Sequence, residues 1–445
     1  MSLKFKRWID DDPPDRKRQS AALYFSLQFW AGIAVFAVII VPAVVIGTRQ
    51  SEPVTTTTTI GSTNTTTTLM PTTTPACTFQ LISSIQQPLG GVNHGTSISM
   101  NVDGAEIAIS DTETNSLEGE IRTYSLSGMS WSQSSTTITG SGPMMQLGPF
   151  IEMTPDGLHL CASLDQESEV RVYQRNSLVD PWIQKGSSLP SGENTGERCS
   201  ISDDGNRVAV ARPNDGFPAP VFSGRVQVYD YVVSAWMQVG FDIGSSVANA
   251  RFGSRGLDLS ADGSRVFVSS EEAGTHLYVY EFILGGWGLV SPPFGNFAER
   301  PPDGGPGQDH EDKMSKGGNY VAEGGDTTIR MYAWSGSTWD TDGVATGTFS
   351  LQQDNRFALI ETPTPRLMVG TNTRITGGAV ANGVSFFTRT AASTWSLLRT
   401  VGPFNTNLTG FDVTMASTNG FNCAFSDLTT GQVDTYSCCW NEMIP

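Results

Sequence analysis

The chain has 445 residues, with 44 acidic against 27 basic side chains and a formal net charge of −17. A surface this acidic repels phosphate and anionic lipid head groups, so nucleic acid is excluded as a partner. Six cysteines are present, but no Cys-x-x-Cys and no paired histidines accompany them, which excludes the usual zinc signatures.

Residues 1–26 carry six basic side chains: Lys4, Lys6, Arg7, Arg16, Lys17 and Arg18. No charge follows from Gln19 to Thr48, and the apolar run Phe29 to Gly47 is long enough to cross a hydrocarbon core of roughly 30 Å. A transmembrane helix is therefore expected within 27–48. A cleaved signal peptide has a shorter apolar core and a small-residue cleavage site, and so many polar residues rarely precede it. The basic tail is expected on the cytoplasmic side and everything after the span outside or in a lumen. That outer part carries roughly −20.

Residues 49–76 form a stalk by composition. Thirteen threonines lie between Ser51 and Pro75, with three prolines and few apolar side chains. Such a segment buries too little surface to fold, and clustered Thr with Pro is typical of O-glycosylated stalks. Asn64 and Asn407 sit in Asn-x-Thr sequons, which makes them N-glycosylation candidates on a secretory route.

From residue 77 to 445 one pattern recurs seven times: a turn, an apolar strand, a variable loop, then an aromatic followed by tryptophan. The aromatic pairs are Tyr124 with Trp131, Tyr173 with Trp182, Tyr229 with Trp236, Tyr280 with Trp287, Tyr332 with Trp339, Phe387 with Trp395 and Tyr436 with Trp440. Asp-Gly or a related turn precedes five of them, for example Asp204-Gly205 and Asp262-Gly263, where glycine accepts positive φ and Asp tolerates it. A period of about 50 residues fits a four-stranded blade with generous loops. One such sheet cannot bury its faces alone, so the units are expected to stack into an all-β, seven-bladed propeller rather than an extended array.

Too few residues follow Trp440 for a last strand, whereas Phe79 to Ile85 precedes the first unit with no partner of its own. It is expected to close the ring as the outer strand of the seventh blade, removing a sheet edge. That pairing brings Cys77 beside Cys438 and Cys439, and a disulfide from Cys77 to one of them is predicted. Cys161 on strand b of the second unit and Cys199 on strand a of the third are candidates for an inter-blade bridge. Cys423 has only the spare member of Cys438 and Cys439 as a mate.

The stretch from Arg251 to Val268, with Phe252-Gly253, a strand, Asp262-Gly263 and a second strand, resembles the FG-GAP repeat of integrin α-chains and related extracellular propellers. The resemblance covers roughly 77–440 and implies a propeller and an extracellular setting. The Asp-x-Asp-x-Asp-Gly loops that bind calcium in the integrin-like branch do not occur, so calcium is not carried over. No metal or other cofactor is expected.

Catalytic signals are few. The four histidines (His94, His159, His276, His310) lie in no triad-like setting. Asp309 and His310, in the run to Asp312, offer a base or ligand near the ring's mouth, although a solvated loop end explains them as well. Asp340-Thr341-Asp342 matches the Asp-x-Asp of sugar-nucleotide transferases but falls in an expected c–d turn, where it reads as coincidence.

The long connections join b to c and d to the next a, and both classes emerge on one face of a propeller, where binding surfaces are usually built. Phe217, Phe222, Phe294 and Phe297, with Asp309 and His310, are the candidates on that face. The leading expectation is a membrane-anchored binding, adhesion or scaffold module that takes a protein, glycan or wall polymer there. The alternative is a carbohydrate-active enzyme of the secretory pathway, since tail, span, stem and luminal domain is also the layout of Golgi enzymes. An open funnel with inward carboxylates would favour the enzyme.

Overall fold

The computed structural model describes residues 79–437 except 87–93, 166–168, 191–197, 217–220, 273, 296–310, 326–327, 346–354, 362–363, 372–381, 405–411, 417–421 and 428–429. The expected span, stalk and sequons therefore lie outside the described residues, as do Cys77, Cys438, Cys439, Phe217, Phe297, Asp309, His310 and Trp440.

Seven antiparallel sheets form the seven-bladed ring. The innermost strands, a, are His94–Met100, Leu147–Met153, Cys199–Ile201, Gly256–Leu259, Asp312–Met314, Asn355–Ile360 and Val413–Met415. Closure follows the expected route: Gln80–Gln86 pairs antiparallel with Gln432–Ser437 and becomes strand d of blade 7. The chain ends thus share one sheet, whose order is d, c, b, a from rim to axis. The only helix among the described residues is the single turn Thr114–Leu117 in the first b–c loop.

The b strands are buried because blades cover both their faces, whereas the c strands alternate between buried and partly exposed positions. Val208–Ala211 and Val266–Ser269 are buried at every position, and so read as continuous small or β-branched runs rather than alternating ones. Each blade packs on the next through such runs. Val208 and Val210 of blade 3 lie in one cluster with Val170 and Val172 of blade 2, and Ala209 and Val228 in another with Leu259 and Val266 of blade 4.

The Asp-Gly turns repeat in detail. Ser202 Oγ accepts from Arg207 N at 3.0 Å and donates to Asp204 at 2.6 Å, and Ser260 does the same with Arg265 and Asp262. Turns also bond to one another across blades, as Asp203 N to Ala261 O and Ala261 N to Lys316 O. These turns line the axis at the end of the ring opposite the long loops.

The tryptophans bind blade to blade. In blades 2 and 3 the outer strand is split in two, Ile183–Gln184 with Leu189–Pro190 and Ala235–Gln238 with Ile243–Gly244. Between the halves, the carbonyls of Lys185 and Val239 are free of the ladder. They accept the indole N–H of Trp236 (2.7 Å) and Trp287 (3.0 Å) from the following blade. Trp131 and Trp182 donate instead to Thr435 and Thr123, and Trp395 to the carboxylate of Asp342.

That last contact corrects one expectation. Asp340 and Asp342 stand within the outer strand Trp339–Ala345, not in a c–d turn, and Asp342 forms a bidentate pair with Arg389 of the next blade at 2.7 Å for each bond. Asp342 is thus an inter-blade clamp, produced because a buried carboxylate must be matched by a cation and donors, while Asp340 is exposed and accepts from Thr338.

The glycine of Phe252-Gly253 has a physical role. It stands at the entrance of strand a with φ +95°, and a Cβ there would lie 2.9 Å from Ala211 of the preceding blade. Gly148 and Gly95 repeat this against Ser110 and Ser426. Close approach of neighbouring blades is what requires glycine here.

Candidate functional site

The axial channel is lined by strand a from every blade around a cavity of about 180 Å³. Among the described residues, four acidic (Glu152, Asp258, Glu311, Asp412) and four basic ones (Arg198, Lys313, Lys316, Arg356) line it, so the described wall is neutral in sum. Lys313 Nζ lies 2.8 Å from Asp258 and Arg198 Nη1 3.0 Å from Glu311, while Lys316 pairs with Glu152 and donates to Ile201 O at 2.8 Å. The Arg198 guanidinium also stands 4.4 Å above the ring of Phe150.

These carboxylates do a second job. An innermost strand is a sheet edge, and its outward N–H groups need acceptors. Inward side chains supply them to the next blade: Thr414 accepts from Met100 N, Ser99 from Met153 N, Glu152 from Ile201 N, Ser200 from Leu259 N, and Asp258 from Met314 N. One layer towards the long loops, Asp412 accepts from Ile98 N, Ser97 from Ile151 N, and Glu311 from Phe357 N. A belt of side-chain acceptors thus links blade 7 through blades 1 to 5 to blade 6 around the axis.

The electrostatics agree. Burial alone would raise the carboxyls of Glu152 and Glu311, but neighbouring cations, Lys316 and Lys313 for the first, Lys313 and Arg198 for the second, hold both below the ordinary range. Asp258 and Asp412 are raised, first by burial. Burial also works against the charge of Lys313, yet Asp258, Glu311 and Glu152 more than offset it and keep the ammonium above the usual lysine range.

On the long-loop face, the described candidates separate. Phe222 is exposed, with Val221 beside it, in the part of the blade 3 b–c loop that leads into strand c. Residues 221–223 are tied down: Asn249, Arg251 and Phe252 donate their N–H groups to the carbonyls of Val221, Phe222 and Ser223 at 3.0–3.1 Å. Its base is an ion network in which Arg225 contacts Asp215 (2.8 Å) and Asp242 (2.9 Å), and Arg212 contacts Asp215 (2.8 Å). Below it, Phe252 packs edge-on against Tyr278, whose hydroxyl donates to Glu272 at 3.0 Å. Phe222 and Val221, with Val247 close in the neighbouring d–a loop, therefore stand on a stiff base.

Phe294 is half-buried and stacks on Trp339 (5.2 Å) and against Tyr332 (5.1 Å) of blade 5, so much of its ring is spent filling an inter-blade gap. The cause is local: Leu277 and Phe294 bond through their backbones, which turns the ring inward. The buried pair of His276 with Glu323, 3.0 Å apart, was not singled out from sequence. The two residues lie in different blades, 47 positions apart, and neither carries a motif.

Of the disulfide candidates, Cys161 and Cys199 are bonded, with Cα atoms 6.4 Å apart, and they join blade 2 to blade 3. Cys423 is also disulfide-bonded, to a partner outside the described residues. No group of three or more His, Cys, Asp or Glu suited to a metal occurs among the described residues.

No protein-family signature matches the chain, and no curated protein matches its sequence. The fold, however, is widely shared. A chain of the crystal structure of a mitotic checkpoint complex superposes with a TM-score of 0.52 at 11% identity, over 80% of this chain and 95% of the other. A chain of the hydrazine synthase of Kuenenia stuttgartiensis superposes with a TM-score of 0.52 at 13% identity, over 80% and 97%. At such identities the likeness is one of fold alone. The same ring serves a checkpoint assembly and an enzyme, so activity must be argued from the site.

Proposed function

We propose that the ring is a binding or scaffold module, carried on the membrane by the N-terminal span and presenting its long-loop face to a protein, glycan or wall polymer. The observation that carries this reading is the state of the channel: its described charges balance, and its carboxylates are spent on cations and on the N–H groups of neighbouring strands. A pair of carboxylates working on a glycosidic bond needs oxygens free to meet a sugar and room for it between them, whereas Glu152, Asp258, Glu311 and Asp412 each already hold a cation or a strand N–H. The braced Phe222 supports the same reading, because a rigid exposed aromatic loses little entropy on binding. The FG-GAP-like repeat, the acidic outer charge, the sequons and the disulfides belong with an extracellular or luminal setting.

The test is to express the full chain in an oxidising secretory host, place it in nanodiscs, and screen it against a glycan array and surface extracts. Binding that is lost in Phe222→Asp supports the proposal. Turnover of a glycoside panel, with nothing captured, overturns it in favour of a carbohydrate-active enzyme.

A further inference from the structure

The register of each blade places three features on one side of the ring. Strand c ends at the c–d turn, and strand b starts beside that end, as in Arg207 opposite Asp230. Gln80 pairs with Ser437, also at the end of a strand c. The Asp-Gly turns, the c–d turns and the point where the chain enters the ring therefore share the face opposite the long loops.

On that face, exposed apolar residues stand at the c–d connections of four consecutive blades, Met129 in blade 1 and Val179 in blade 2 among them, and the two-residue tips of blades 3 and 4 are the most exposed. Val233 is 92% and Leu284 103% exposed, and the residues before them, Val232 and Ile283, are about half exposed. Both tips are two-residue turns with positive φ, 48° and 71° at Val233 and Ser234, 53° and 85° at Leu284 and Gly285. Turns of this type favour Asn-Gly, and a β-branched residue at positive φ is strained. The Val233 tip thus combines backbone strain with full exposure of an aliphatic side chain, the Leu284 tip shares the exposure, and strain of this kind points to function. The nearest carboxylates are neutralised: Asp230 by Arg207 at 2.6 Å, and Glu281 by Arg265 at 3.4 Å. In blade 5 the equivalent tip, Ser335 to Thr338, is polar.

Position decides what the tips meet. In a ring of seven, blades 3 and 4 flank the point opposite blade 7, where the chain enters. The 31 residues between Gly47 and Phe79 end on this same face. We propose that this face rests on the bilayer, with Val232-Val233 and Ile283-Leu284 set into the lipid interface as a second attachment opposite the stalk. This deepens the proposed function and rests on its membrane span. It turns the Phe222 face away from the membrane, and it needs no anionic lipid, which the acidic ring would repel.

The full chain in nanodiscs of phosphatidylcholine carrying a photoactivatable acyl chain tests this. Lipid adducts are expected on the 229–237 and 281–287 hairpins and on 29–47, with few on 335–338. In the double variant Val233→Asp, Leu284→Asp, hairpin adducts fall roughly tenfold while those on 29–47 persist, as expected when aliphatic burial is replaced by charge. Labelling of 29–47 with unlabelled hairpins overturns the docking alone. Absence of labelling on 29–47 overturns the membrane span as well. Cross-links joining the hairpins of two chains, without lipid adducts, assign the tips to self-association and also overturn the proposal.

Discussion

The indole Nε1 of Trp236 lies 2.7 Å from the backbone oxygen of Lys185, one blade back along the ring. The acceptor is exposed to it only because the outer strand of blade 2 is interrupted at that point. Trp236→Phe keeps most of the apolar contact but strands the carbonyl, and is expected to cost about 1–3 kcal/mol in urea unfolding. Trp339→Phe is the control: its N–H has no partner among the described residues, so its loss should cost less.

His94 is a buried histidine whose ring nitrogens have no hydrogen-bond partner among the described residues. Burial, with Arg122 adding to it, lowers its pKa from 6.5 to about 4. The unfolded chain then binds a proton that the folded chain refuses. Stability is fully present above pH 6.5 and falls as pH drops towards 4, by about 3 kcal/mol across that window. His94→Leu should flatten this limb in a series of melting temperatures from pH 7 to 4.

Lys313 neutralises a channel carboxylate that is 3% exposed, Asp258. Lys313→Met leaves that charge buried without its cation and should cost about 3–5 kcal/mol, read by chemical denaturation. Adding Asp258→Asn keeps the oxygen that accepts from Met314 N and removes the charge, so the double variant should recover a large part of the loss.

The bond between Cys161 and Cys199 closes 38 residues of chain and ties two blades. Replacing both with alanine is expected to lower stability by about 2–4 kcal/mol. A reductant should reproduce that loss in the native chain and have less effect on the variant, apart from what it does at Cys423.

Removing residues 1–87 deletes strand d of blade 7 and bares the edge of Gln432–Ser437. An open edge templates pairing between chains. The truncated chain should form higher oligomers in light scattering, whereas a truncation ending before Phe79 should not.

The repeat was legible because the chain writes its turns and aromatics at a fixed period, and the closing strand because one segment was left without a partner. Cys161 with Cys199 was legible for the same reason: strand assignment alone put them on facing blades. The inward packing of Phe294 was not legible, because an aromatic in a long proline-rich loop has no periodicity to say which way it turns. Asp342 misled because the outer strand of blade 5 begins at Trp339 and runs on to Ala345, a length that local turn chemistry did not show.

By itself, then, the sequence determined the number of blades, the alternation along their strands and the way the ring closes, all consequences of local period and of chain ends that need a partner. Only the tertiary structure decided that the tryptophans fasten blades together, that channel charges pair across blades, as Arg198 does with Glu311 over 113 positions, and that Val233 and Leu284 stand on the face where the chain enters. Those relations join residues a blade or more apart, and such distances exist only once the ring has closed.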